Sequence, residues 1–127
     1  MSSEKINLGK RGEETAVDFL KQNGYRVLKR NFKINLGEID IVAREGNTVC
    51  FIEVKTRTSE ILGHPFEAIS RVKQQKLSRV GLAYLKKNGL MDAPARFDIV
   101  SVLTSERGSE NVEILKDAFP LSHPYAY

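Results

Sequence analysis

A chain of 127 residues, 41% hydrophobic and 28% charged, has the size and composition of one compact domain and lacks the bias of a disordered or fibrous protein. Its single cysteine excludes an internal disulfide and a cysteine-rich zinc site, and no apolar run approaches a signal peptide or a membrane span, so a cytoplasmic protein is expected. The net charge of +4 and a pI of about 9.3 favour contact with a polyanion.

Residues 1–8 are polar and are expected to be loose. Over residues 9–23 the apolar side chains of Ala16, Val17 and Leu20 fall on one helical stripe, with Phe19 at its edge and Gly24 as a stop. Glu13 precedes those three by three, four and seven positions, which turns its carboxylate toward the stripe, whereas Glu14 faces outward. The helix dipole alone also favours an acid in a first turn, and spacing leaves both explanations open.

Residues 25–32 alternate as a first strand with a basic end. Lys29, Arg30 and Lys33 there are either phosphate contacts or solubilising charges. Residues 37–44 and 48–57, rich in Ile, Val, Phe and Thr, flank Gly46 and Asn47, the small residues of a tight hairpin turn.

Counting back from that turn, Glu45 faces Thr48, Asp40 faces Glu53 and Glu38 faces Lys55, with Cβ atoms of a facing pair roughly 5 Å apart. Alternation puts Glu38, Asp40, Glu53 and Lys55 on one face. It leaves Ile39, Ile41, Ala43, Cys50, Ile52 and Val54 on the other, as the core side. Two facing carboxylates repel, so the arrangement calls for a shared proton or a bound cation. Hard oxygen donors suit magnesium, which takes one or two carboxylates and keeps waters for a phosphate substrate. An ammonium at Lys55 could orient an attacking water or stabilise charge on a phosphate. The bland alternative is an ordinary Glu38–Lys55 ion pair, with Asp40 and Glu53 turned to solvent.

Residues 56–66 are polar and contain Gly63 and Pro65, as in a loop, with Arg57 either a phosphate ligand or an exposed strand-end arginine, and His64 more readily a packing residue of that loop than a general acid or base. Residues 67–88 repeat apolar positions, Ala68, Ile69, Val72, Leu77, Val80, Ala83 and Tyr84, at helical spacing up to Asn88-Gly89. The opposite face carries Arg71, Lys73, Gln74, Lys76 and Arg79, either a solvated face or a track for a nucleic-acid backbone. Residues 96–103 alternate as a strand in which Asp98 either supports the acidic site or pairs with Arg96 or Lys73. A polar turn over 104–110 leads to a last strand over 111–119 and a tail.

Asp40 followed by Glu53-Val54-Lys55 resembles the PD-(D/E)xK signature of restriction-endonuclease-like nucleases, with Ile39 where proline is common. A longer pattern resembles the bacterial YraN-type family over nearly the whole chain. It comprises Gly9-x-x-Gly12-Glu13-x-x-Ala16, Asn31, Gly37-Glu38-Ile39-Asp40, Phe51-Ile52-Glu53-Val54-Lys55-x-Arg57, Gly63, Lys73 and Arg96-Phe97-Asp98. The nearest patterns to that family are those of archaeal Holliday-junction resolvases.

The resemblance implies one α/β domain over residues 1–127 with a restriction-endonuclease-like core, a mixed central β-sheet flanked by helices. The order helix, three strands, helix, two strands agrees with it. It also implies a Mg²⁺-dependent endonuclease, with Mn²⁺ as a substitute, acting on DNA, branched DNA included. Asp40, Glu53 and the Val54 carbonyl would hold the ion, Glu13 or failing it Glu14 would assist, and Lys55 would position the attacking water. Glu38 and Gln74 are supporting candidates. Arg30, Lys33, Arg57, Lys73 and Lys76 are candidate nucleic-acid contacts, and a homodimer follows by analogy. The alternative is a nuclease-like fold that binds nucleic acid without cutting it.

Overall fold

A computed structural model describes residues 3–58, 69–105 and 107–121. Helix α1 spans Ser3–Gln22, followed by β1 Arg26–Ile34, β2 Gly37–Glu45, β3 Thr48–Arg57, α2 Arg71–Lys87, β4 Ala95–Thr104 and β5 Glu110–Phe119. Helix α1 therefore takes in residues expected to be loose, among them the good helix formers Glu4, Lys5 and Leu8. Residues 59–68, with Gly63, His64 and Pro65, lie outside the described residues, as do 122–127.

The five strands make one sheet in the order β1-β2-β3-β4-β5, antiparallel throughout except that β3 runs parallel to β4. A parallel neighbour needs a crossover longer than a tight turn, and α2 lies in that connection. The protein is thus an α/β fold with a mixed central sheet flanked by helices, the class expected from its sequence.

Alternation along β3 separates the layers. Val49 and Phe51 pack with Leu77, Val80 and Tyr84 of α2, while Cys50 and Ile52 pack with Ala16, Val17 and Leu20 of α1. The turn-proximal half of the hairpin is therefore buried on both faces, which corrects the expectation of a single core side. Ile39 also leaves the face of Ile41 and Ala43 and joins the α2 cluster, so the side-chain alternation of β2 breaks at Asp40.

Each helix meets β3 through a glycine. A Cβ on Gly12 would lie 1.8 Å from Thr56 Cγ2, and one on Gly81 would lie 2.9 Å from the Phe51 ring. The bare backbone lets α1 settle directly on the central strand, and that contact fixes where Glu13, the next residue, stands.

Ser70 caps α2 by accepting the Lys73 N–H at 3.2 Å, so Ile69 precedes the helix rather than lying in it. Val72 is 62% exposed, against the expectation that it joins the apolar stripe. At about 100° per residue it sits about 140° round the helix from Leu77, where burial begins. Among the described residues no helix is long and apolar enough to cross a membrane.

Candidate functional site

The β2–β3 ladder follows the count from the turn, from Glu45 opposite Thr48 to Ile41 opposite Ile52, and stops there. Beyond that point β2 stays with β1, with Ile39 opposite Phe32 and Glu38 opposite Lys33. The two strands fork at Asp40, one residue short of the expected Asp40–Glu53 pair. Glu38 accordingly has Lys33, not Lys55, as its cross-strand neighbour. Facing carboxylates repel, and the fork relieves that contact.

The fork is closed by a side chain. Val54 N–H, which would have bonded β2 had the ladder run on, donates instead to Asp40 Oδ2 at 2.8 Å. In an extended strand the N–H and C=O of one residue point to the same edge, so the Val54 carbonyl opens onto the fork as well. On β1, Asn31 lies between the Arg30–Ile41 and Phe32–Ile39 pairs, at the level of Asp40, with φ of 54°. That is left-handed backbone, which asparagine adopts more readily than most residues, and it interrupts the β1 ladder beside Asp40 too.

The Asp40 carboxyl is pushed up to about 6. Burial is the main cause, the charges of Glu53, Glu13 and Glu38 add to it, and the Val54 N–H opposes them. Glu53 lies on the α2 face with its side chain 18% exposed, and its Oε1 accepts from Lys73 Nζ at 2.5 Å. Its Oε2 is shielded from solvent and has no hydrogen-bond partner among the described residues. Asp40, Glu53, Glu38 and Lys73 line a cleft of about 210 Å³ whose apolar walls include Phe51, Leu77 and Phe97. Lys55 is two positions along β3 from Glu53, on the same face and half-buried, its side chain without an ion pair or hydrogen bond among the described residues.

Glu13 is fixed from β1. Its Oε1 accepts from Arg30 Nε, Arg30 Nη2 and Asn31 Nδ2, each at 3.2 Å, and Arg30 also pairs with Glu14 at 2.8 Å. Glu13 is thus felt at Asp40 from the α1 side of the sheet, while Glu14 remains outside. Arg30, expected at phosphates, is committed to these two acids. Asn31 is the residue whose role was missed: its signal is an asparagine inside a strand, a position that invites left-handed backbone.

The other candidates separate as clearly. Gln74 Nε2 donates to the Ile69 carbonyl at 2.8 Å, so it secures the start of α2 and does not support the acidic site. Lys33 and Lys76 are exposed, Arg57 ends β3, and Lys73 is already on Glu53.

Asp98 is fully buried in a separate network. It accepts from Arg96 Nε at 3.0 Å, Tyr25 hydroxyl at 3.3 Å and Asp117 N–H at 2.9 Å, and Arg96 Nη2 reaches on to Glu45 at 2.6 Å. Asp117 carries φ of 55° where the β4–β5 register shifts, which aims its N–H at that carboxylate. Burial foremost, then the Asp98 charge, raises the Tyr25 phenol well above its ordinary value.

No group of three His, Cys, Asp or Glu side chains among the described residues is arranged to hold a metal ion. The donors at the fork are two carboxylates and a main-chain carbonyl, a set that fits magnesium because that ion retains most of its waters. Glu53 Oε2, desolvated without a donor among the described residues, is an oxygen whose cost a cation would offset.

The model of the family described as uncharacterised protein family UPF0102 matches residues 12–102. A UPF0102 protein of Geotalea uraniireducens is 44% identical over 117 residues, 92% of each chain. One from Caldicellulosiruptor saccharolyticus is 45% identical over 116 residues, covering 91% of this chain and 98% of its own. One from Geobacter metallireducens is 43% identical over 123 residues, covering 97% of this chain and 100% of its own. Among solved structures, that of Pyrococcus furiosus SfsA in complex with Ca²⁺ is similar at 16% identity and a TM-score of 0.40. The likeness covers 86% of this chain and 62% of that one, and it is too distant to bear on the site.

Proposed function

We infer that this chain, which belongs to the uncharacterised protein family UPF0102, is a divalent-metal-dependent endonuclease of the restriction-endonuclease-like kind acting on DNA. The fork at Asp40 carries the reading. Its half-buried carboxyl and Glu53, with one oxygen desolvated and unpartnered among the described residues, line one cleft, and two positions along β3 stands Lys55, which has no acid of its own among the described residues.

Asp40, Glu53 and the Val54 carbonyl would hold magnesium, or manganese in its place. A divalent ion bound there would supply Lewis-acid charge to the phosphodiester under attack. Asp40 serves as a ligand only when ionised, so its raised carboxyl must first give up its proton. Glu13, held by Arg30 and Asn31, keeps a negative charge near Asp40 and strengthens the pull of the fork on a cation. Lys55 offers its ammonium to the attacking water or to a phosphate oxygen. Exposed Lys33 and Lys76 are available to the nucleic-acid backbone, in keeping with the net charge of +4.

Cleavage of branched, flap and single-stranded DNA in Mg²⁺ or Mn²⁺ tests this reading, with wild type beside Asp40→Ala and Lys55→Ala. Activity in wild type alone is expected, and equal activity in all three ends the mechanism. Binding without cutting is the second reading, favoured by the Lys73 ammonium that already neutralises Glu53. Salt-dependent DNA binding that is indifferent to Mg²⁺ and yields no product would select it.

A further inference from the structure

Lys73 stands in the first turn of α2, anchored through its backbone N–H to the Ser70 cap, with Nζ 2.5 Å from Glu53 Oε1. Among the described residues no other cationic side chain bonds to Asp40 or Glu53. The lysine side chain is 51% exposed and the glutamate 18%, so the ammonium reaches into the cleft from its mouth. The cap holds the helix whether or not Nζ stays in place, because only the flexible side chain has to rotate.

We propose that Lys73 is an internal counter-cation that competes with the divalent ion for Glu53. The proposal rests on the reading that Asp40 and Glu53 hold such an ion. An ammonium and a divalent cation on the two oxygens of one carboxylate repel strongly at that separation in a partly desolvated cleft. One of them must yield. The half-exposed ammonium has water as an alternative partner, whereas the shielded Oε2 has no other donor among the described residues. Lys73 therefore covers the acid when the ion is absent and is released to the cleft mouth, beside an arriving phosphate, when the ion is bound.

Calorimetric titration with Mn²⁺ alone tests this on wild type, Lys73→Gln and Lys87→Gln. Lys87 is exposed in the last turn of the same helix without an acid partner among the described residues, so its variant removes equal charge without touching Glu53. Lys73→Gln is expected to bind Mn²⁺ about fivefold tighter than wild type, the scale of a partly exposed ion pair, with Lys87→Gln within about twofold of wild type. Unchanged or weaker binding in Lys73→Gln, or equal tightening in both variants, overturns competition. If none of the three binds Mn²⁺, the metal reading itself fails and this proposal with it.

Thermal unfolding gives a second readout. Lys73→Gln should melt below wild type without metal, and the difference should close at saturating Mn²⁺. A difference that persists means the ammonium stays on Glu53 alongside the ion, which also overturns the proposal.

Discussion

Asp40 Oδ2 accepts the main-chain N–H of Val54 at 2.8 Å, so a side chain of β2 occupies the place where the β2–β3 ladder would have continued. The bond keeps a half-buried acid at the point where two strands part. It ties the geometry of the fork to the charge state of one residue.

That charge state makes stability depend on pH with a definite sign. The Asp40 carboxyl is raised from its ordinary 3.8 to about 6, so the native state binds its proton more tightly than the unfolded chain does. Its contribution is most favourable below about pH 4 and is lost as pH rises toward about 6, a span on the order of 3 kcal/mol. Asp40→Asn, which keeps an acceptor for the Val54 N–H, should match or exceed wild type at neutral pH and lack this slope. Urea unfolding of both proteins across that range checks it, and parallel pH profiles would refute it.

Gly12→Ala should push α1 off the sheet, because the new Cβ would lie 1.8 Å from Thr56 Cγ2. A loss of about 2–3 kcal/mol is expected from such overpacking. Adding Thr56→Ser, which deletes the clashing methyl, should recover most of it. Denaturant unfolding of the double-mutant cycle reads the coupling, and strictly additive losses would show that the two residues do not meet.

Lys55→Met separates function from stability. Lys55 makes no ion pair among the described residues, so the change should alter unfolding free energy by no more than about 0.5 kcal/mol. DNA cleavage should fall by about a hundredfold to a thousandfold if the ammonium stabilises developing charge. An unfolded variant, or a folded one that cuts at the wild-type rate, contradicts the assignment.

Asp98→Ala should behave in the opposite way. It strands Arg96, the Tyr25 hydroxyl and the Asp117 N–H around a buried position, at a cost of about 3–5 kcal/mol. Mn²⁺ affinity of the folded variant should stay at the wild-type value. A selective loss of metal binding without loss of stability would move Asp98 into the site.

Periodicity and turn chemistry are local, and most of what rested on them agrees with the structure. The element order, the Gly46-Asn47 turn, the pairing from Glu45–Thr48 to Ile41–Ile52 and the burial of Cys50 could all be counted along the chain. The count failed at Asp40, because counting from a turn assumes that the ladder runs on and holds no information on where two strands part. The ion pairs of Arg30 and Lys73 were equally out of reach, since residues 17 and 20 positions apart meet only after α1 and α2 have packed. Val72 misled because helical spacing tells which residues share a stripe but not how far along the helix its neighbour extends.

By itself the sequence determined which residues are candidates for chemistry, two acids and a lysine on the arms of one hairpin, and the α/β order that surrounds them. Only the folded sheet decided what those residues face. The repulsion between Asp40 and Glu53, the Asp40–Val54 bond and the reach of Lys73 from α2 join residues far apart in the chain. Where a cross-strand pair was expected, the sheet has an open fork whose second acid rests under Lys73.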